Sequence, residues 1–347
     1  MRKIKSLFLC LFLYFQPATA QVLGGKSVFS FLDLPVAPQL AALGNINVSQ
    51  QNNDIALSAL NPALLRESMH QHLEMNYTNY FADVQYVHCL YGYYSSRLQT
   101  VFAGSVQYVN YGTVTQTDAA GNIQGTFKPR DMSLQLTLSR QYLERWHYGI
   151  TLQFIQSNYQ QYHSTGLGVN VGLTYQDTAH KWQAGFVARN MGAQLTAYAG
   201  TKEPLPFDLQ IGISKKLEHI PLQLSATLHH IYQFDVRYSD PGFEEGSIIT
   251  NGDTTNTGNK TADKIFRHFV LAAQWEIGRY VEITAGYNHL RRQELSTPQQ
   301  RGLSGFSAGI GIVTRKLQLR YTRSWYQRSA ALNQLGINIP LKEWGVF

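Results

Sequence analysis

The chain has 347 residues and a formal net charge of +7, with 15% of its residues charged and 44% hydrophobic. That charge is too mild and too scattered for a nucleic-acid-binding surface. Its cysteines, Cys10 and Cys89, cannot build an intramolecular disulfide framework, because Cys10 falls in a segment whose pattern marks it for removal.

At the N-terminus Arg2, Lys3 and Lys5 precede the apolar run from Leu7 to Phe15, and Ala18-Thr19-Ala20 places small residues before Gln21. This is the pattern of a secretory signal peptide over residues 1–20. Cys10 sits inside the apolar run without the small residues that a lipoprotein anchor needs. Loss of the segment lowers the net charge to +4, since three basic residues and no acidic one go with it.

Residues 21–70 sustain neither helix nor strand periodicity. A Pro-punctuated apolar stretch (Leu34 to Leu43) leads into a polar tract (Asn45 to Asp54), and a short apolar piece ends at Asn61-Pro62. Such a segment needs something to pack against. The expectation is a hatch inside a barrel lumen, carrying Leu43, Asp54, Asn61 and Pro62.

From residue 72 onward a period of two keeps returning, as in Met132, Leu134, Leu136 and Leu138 against Ser133, Gln135, Thr137 and Ser139. Leu222, Leu224, Ala226 and Leu228 alternate in the same way with Gln223, Ser225, Thr227 and His229. About fourteen such segments begin near residues 72, 84, 99, 131, 147, 165, 182, 205, 221, 267, 280, 303, 316 and 331. Each is about as long as the ~9–11 residues that cross a bilayer as a tilted strand. Long polar connections (Gly112 to Arg130, Gly192 to Pro204, Ser239 to Lys264, Leu290 to Gly302) follow odd-numbered segments, and tight turns follow even-numbered ones.

This parity describes an all-β outer-membrane barrel of about 14 antiparallel strands, spanning residues 71–347, with the hatch in its lumen. Closure has a physical cause, because an open strand edge in lipid leaves amide groups unpaired. Polar alternates should face the lumen and apolar ones the lipid. Tyr77, Tyr80, Phe81, Tyr108, Tyr111, Tyr142, Trp146, Tyr148, Trp325 and Tyr326 fall near strand ends, where aromatic belts lie, and the chain closes on Phe347 after Trp344. A soluble double sandwich or propeller also alternates, but rarely with strands this long and loops this regular. The longest apolar stretch after the signal, Ser304 to Val313, is too short for a spanning helix.

Motifs for chemistry are sparse. "GLGVNVG" (Gly166 to Gly172) has the wrong spacing for a phosphate loop and reads as glycines that let a strand bend in a barrel wall. His229 and His230 are adjacent, so on a strand they point to opposite faces and cannot share a metal. His70 and His72 could face the same way, but nothing nearby completes a ligand set. No nucleophile stands beside a base, so no catalytic residue, cofactor or metal is assigned. The loop Ser239 to Lys264 reads as a disordered extracellular tip or a docking surface, with Phe243, Glu244, Glu245, Asn251 and Asp253 as its candidate contacts.

"NPALL" (Asn61 to Leu65), preceded by Asp54, is similar to the Asn-Pro-Ala segment in the hatch of FadL-like barrels. The stretches Leu23 to Asn45, Asn79 to Val87, Asp118 to Phe127 and Glu203 to Ser225 resemble the PorQ-type barrels of the Bacteroidota type IX secretion system. A local departure is Gln50-Gln51, where that family usually has an acidic start. The resemblance implies a non-enzymatic barrel in the outer membrane, in contact with its lipid and lipopolysaccharide. It implies an attachment complex with a PorZ-like surface protein, a PorU-like sortase and a PorV-like shuttle barrel. The alternative is a FadL-type passive transporter of a hydrophobic small molecule.

Overall fold

The computed structural model describes residues 27–50, 52–236, 260–295, 302–326 and 330–345. The signal segment 1–20, residues 21–26 and Phe347 lie outside these.

The strands are β1 (His72–Asn79), β2 (Gln85–Ser95), β3 (Thr100–Asn110), β4 (Val114–Thr117), β5 (Ile123–Phe127), β6 (Arg130–Tyr142), β7 (Trp146–Tyr159) and β8 (Tyr162–Asp177). They continue as β9 (Trp182–Thr196), β10 (Asp208–Lys216), β11 (Leu222–Leu228), β12 (Phe269–Ile277), β13 (Val281–Asn288), β14 (Phe306–Val313), β15 (Gln318–Trp325) and β16 (Ala331–Pro340). All except β4 and β5 form one closed antiparallel barrel of fourteen strands, sealed where β1 pairs with β16 from His72↔Pro340 to Asn79↔Asn333. An even strand number brings both ends of the wall to one rim.

Alternation sets the facing as expected. Ser133, Gln135 and Thr137 are buried toward the lumen, while Leu134 and Leu136 are 43% and 48% exposed on the outer wall. The barrel strands start within three residues of their expected positions.

The connection after β3 is not a plain loop. β4 and β5 pair as a separate two-stranded hairpin whose turn is held by Asp118, which accepts bonds from the amides of Ala120 and Asn122 at 2.9 Å each. Its residues are exposed or half-exposed on both faces, so no apolar alternation announced it.

The aromatic belt also needs correction. Tyr77, Phe81, Tyr142, Trp146 and Tyr148 are exposed on the outer surface. Tyr80 instead packs on the luminal core, Tyr111 donates to Asp131 at 2.6 Å, and Tyr326 lies under the Arg291 guanidinium at 4.8 Å. For Tyr111 and Tyr326 an inward partner, Asp131 and Asn45, satisfies the hydroxyl without the membrane interface.

Candidate functional site: the filled lumen

Residues 28–50 and 52–70 run through the lumen from one rim to the other. The segment starts beside the connection after β9, where the Val28 amide donates to Pro204 O at 3.1 Å. It ends at the opposite rim, where the Gln71 amide donates to Gly92 O at 2.8 Å and β1 begins. Its apolar side chains form the main core cluster, including Phe31, Leu40, Leu43, Ile55, Leu57 and Leu64.

Local sequence explains its irregular path. Pro38 opens the short helix α1 (Pro38–Ala42), and Gly44 and Asn45, both at positive φ, end it. Asp54 Oδ1 caps the 3-10 turn Ile55–Ala59 through the Ala56 amide at 3.0 Å. Asn61 Oδ1 caps Pro62–Leu64 through the Ala63 amide at 3.0 Å, with Pro62 at the first helical position.

The wall meets this segment with polar side chains that satisfy its backbone. Thr322 Oγ1 donates to Pro38 O at 2.7 Å, Ser307 Oγ to Ala42 O at 3.0 Å, and Arg189 Nη2 to Leu32 O at 3.1 Å. Side chains pair as well: Asn47 Nδ2 donates to Ser225 Oγ at 2.8 Å, Gln39 and Gln50 both meet Gln274 Oε1, and Ser49 Oγ lies 2.7 Å from Ser214 Oγ. The charged anchor is Arg320 Nη1, 2.9 Å from Asp54 Oδ2, with Glu282 Oε2 3.1 Å from Nη2. Arg66 Nη2 donates to Thr174 Oγ1 at 2.9 Å and Nη1 to Ala63 O at 2.6 Å.

Glycines seat the backbone where it touches the wall. Gly149 and Gly172 are register partners on β7 and β8, and a Cβ on either would collide with Asn61 or Pro62. Gly185 on β9 receives the Val48 backbone in the same way, and at its partner Gly212 on β10 a Cβ would sit in tight contact with Val48 and Ser49. The glycines of Gly166 to Gly172 therefore do more than permit bending: Gly166 makes room for Phe29, and Gly172 for Asn61.

Of the residues singled out by sequence, Leu43, Asp54, Asn61 and Pro62 are all buried in this interface, with Leu43 and Asn61 at 0% exposure. Phe243, Glu244, Glu245, Asn251 and Asp253 lie outside the described residues. The wall partners Arg320, Thr322, Ser307, Gln274 and Thr174 were not singled out, although each occupies a polar, lumen-facing alternate. The expectation for His229 and His230 is overturned. β11 ends at Leu228, His230 takes a left-handed φ of 53°, and the two rings converge to 4.9 Å between centroids.

Two polar cavities open near the rim that holds the turns, one of about 410 Å³ under Asn52 and Asn53 and one of about 320 Å³ beside Arg66 and His147. An apolar cavity of about 530 Å³ lies on the lipid-facing wall, where Ala226, Ala273 and Ala285 leave a hollow between Leu224, Leu271 and Phe306.

No protein-family model matches the chain, and no curated protein matches it. Among solved structures, the TodX monoaromatic hydrocarbon channel in its deltaS2 mutant aligns over 87% of this chain and 96% of its own, at 12% identity and a TM-score of 0.50. The CymD monoaromatic hydrocarbon channel covers 88% and 97% at 15% identity and a TM-score of 0.49. A Pseudomonas aeruginosa FadL homologue covers 92% and 100% at 12% identity and a TM-score of 0.44. At these identities the likeness is one of fold. The closed wall, its apolar outer face and the likeness to the TodX channel make this chain an outer-membrane β-barrel of a Gram-negative bacterium.

Proposed function

We propose that the protein is a plugged outer-membrane channel for a hydrophobic small molecule, in which residues 28–70 shift to allow passage. The observation that carries this reading is the luminal segment itself. It runs from rim to rim, and the wall meets its polar groups through side-chain hydrogen bonds that water can replace. The chemical class of the solute is supported by the shared fold with TodX, a monoaromatic hydrocarbon channel.

The test is to lock the plug. Ser49 and Ser214 have their hydroxyls 2.7 Å apart, so Ser49→Cys with Ser214→Cys, in a Cys89→Ser background, should form a disulfide. Cells producing the oxidised form should take up labelled toluene no faster than cells without the protein, and dithiothreitol should restore uptake. Equal uptake in both redox states, or none with the wild-type barrel, would sink the channel reading.

A second reading is a surface anchor for a type IX secretion attachment complex. It is supported by the PorQ-like sequence stretches and by the connection from His229 to His268, far longer than a hairpin needs. Its partners would be PorZ-like, PorU-like and PorV-like proteins, with lipopolysaccharide around the wall. In this reading the locked plug leaves function intact, and deleting residues 239–264 should release a PorZ-like protein from the cell surface. Retention of that partner would count against it.

A further inference from the structure

The end of β11 brings together three groups that the proposed channel does not use. Past Leu228 the chain turns back on itself: the Ile231 amide donates to Leu209 O at 3.3 Å, and the Tyr232 hydroxyl donates to Phe207 O at 3.1 Å. This reversal lays His230 over Asp208, the first residue of β10. His230 Nδ1 stands 3.8 Å from Asp208 Oδ1 and 2.6 Å from His229 Nδ1. One ligand atom from each of the three residues lies within 4.8 Å of the other two.

We propose that Asp208, His229 and His230 form a divalent transition-metal site, of the Zn²⁺ or Co²⁺ class, at the mouth of the barrel. Two imidazole nitrogens and a carboxylate oxygen are the donor set these ions take with a solvent molecule as fourth ligand. At metal–nitrogen bonds of about 2.0–2.1 Å, two tetrahedral ligands stand about 3.3 Å apart. The rings must therefore open slightly from their present contact. Asp208 and His229 are buried, at 4% and 1% exposure, whereas the His230 side chain is 34% exposed and leaves a way in.

The outer contacts are also in place. Asp208 Oδ1 accepts from the His230 amide at 2.7 Å and Oδ2 from Gln210 Nε2 at 2.6 Å, which leaves each oxygen a further lone pair for an ion. His268 stays outside the set, because its Nδ1 lies 2.7 Å from His229 O and its Nε2 3.2 Å from Phe234 O. The exception is His229, whose Nδ1 faces His230 while its Nε2 is buried without a partner among the described residues. An ion here would clasp the base of the connection between β11 and β12 to the start of β10.

The experiment uses the full barrel, purified in detergent and stripped with EDTA, titrated with Co²⁺ and then with Zn²⁺. The expected result is one equivalent of Co²⁺ with the visible bands of four-coordinate nitrogen and oxygen ligation, displaced by Zn²⁺. Asp208→Asn and His230→Ala should each weaken binding beyond the ~10–100-fold that loss of an outer contact causes. His163→Ala, at an exposed histidine elsewhere, should change nothing. X-ray absorption on the wild-type Zn²⁺ form reads the ligands without any variant, and two imidazoles in the shell are expected. Absence of stoichiometric binding, an all-oxygen shell, or unchanged affinity in folded Asp208→Asn would overturn the site.

Discussion

Arg320 of β15 points into the lumen and places Nη1 2.9 Å from Asp54 Oδ2, and both side chains are nearly sealed from solvent, at 6% and 5% exposure. The pair joins the luminal segment to the wall, while the other Asp54 oxygen caps the turn that follows. Asp54→Ala removes both and should cost about 3 kcal/mol, the lower end for one partner of a buried pair, since Glu282 remains beside Arg320. Asp54→Asn keeps the cap acceptor and should cost about half as much. Urea unfolding in phosphatidylcholine vesicles reads the difference. Equal costs would mean that the cap is idle.

Gly172 should tolerate no side chain while Gly104 should accept one. A Cβ at Gly172 overlaps Asn61, whereas one at Gly104, on the outer face, meets nothing within 4 Å. Gly172→Ala should strain the interface by about 1–3 kcal/mol and lift the luminal segment from its seat. Trypsin cleavage at Arg66, 7% exposed in the native barrel, is the readout. Faster cutting in Gly172→Ala than in Gly104→Ala, with both barrels still folded by heat-shift electrophoresis, is expected. Matched rates would refute the steric account.

The wall was legible in the sequence because a two-residue period, once one face meets lipid, fixes facing, register and strand number together. Asp54 and Asn61 were legible as residues of the hatch, although their capping of the 3-10 turns and the wall residue each meets depend on the folded path. Arg320 looks like any other polar alternate until β15 is set opposite residue 54. Gly172 could not be separated from a bend-permitting glycine without the proline that faces it. For His229 and His230 the alternation rule failed where the strand ended, because nothing in the adjacent pair marks His230 as a left-handed turn residue.

Facing can be tested with charge. Leu136 sits midway along β6 on the lipid side, so Leu136→Arg should cost about 2–4 kcal/mol. Gln135 is a poor control, since it is 7% exposed and bonded to Ser105 at 3.3 Å. Gln223 serves better, because it lines the cavity in which Asp177, Glu276 and Glu282 stand with Lys181, Lys216 and Arg320, so a new guanidinium enters a polar space and not the lipid. Gln223→Arg should therefore stay within about 0.5 kcal/mol of wild type. Folding yields in a bilayer urea titration decide, and equal losses would reverse the assigned facing.

Asn61 offers a pH-dependent check of the plug. Its Nδ2 donates to Val48 O at 2.8 Å and its Oδ1 accepts from the Ala63 amide at 3.0 Å, with the residue wholly buried. Asn61→Ala loses a cap and a hydrogen bond, about 1 kcal/mol each, with no dependence on pH. Asn61→Asp keeps the cap but turns an ionised oxygen toward the Val48 carbonyl, two acceptors with no proton between them. When protonated, the new carboxyl can donate to Val48 O and restore the native pair. Burial therefore raises its folded-state pKa above the unfolded value of about 3.9. Its stability contribution is full below that value and is lost as pH rises through the folded pKa. The variant should therefore be less stable at pH 7 than at pH 3, relative to wild type. Unfolding titrations of wild type, Asn61→Ala and Asn61→Asp across that range separate the two effects. A flat difference between Asp and Ala would show that position 61 reaches water and that the plug is looser than its hydrogen bonds imply.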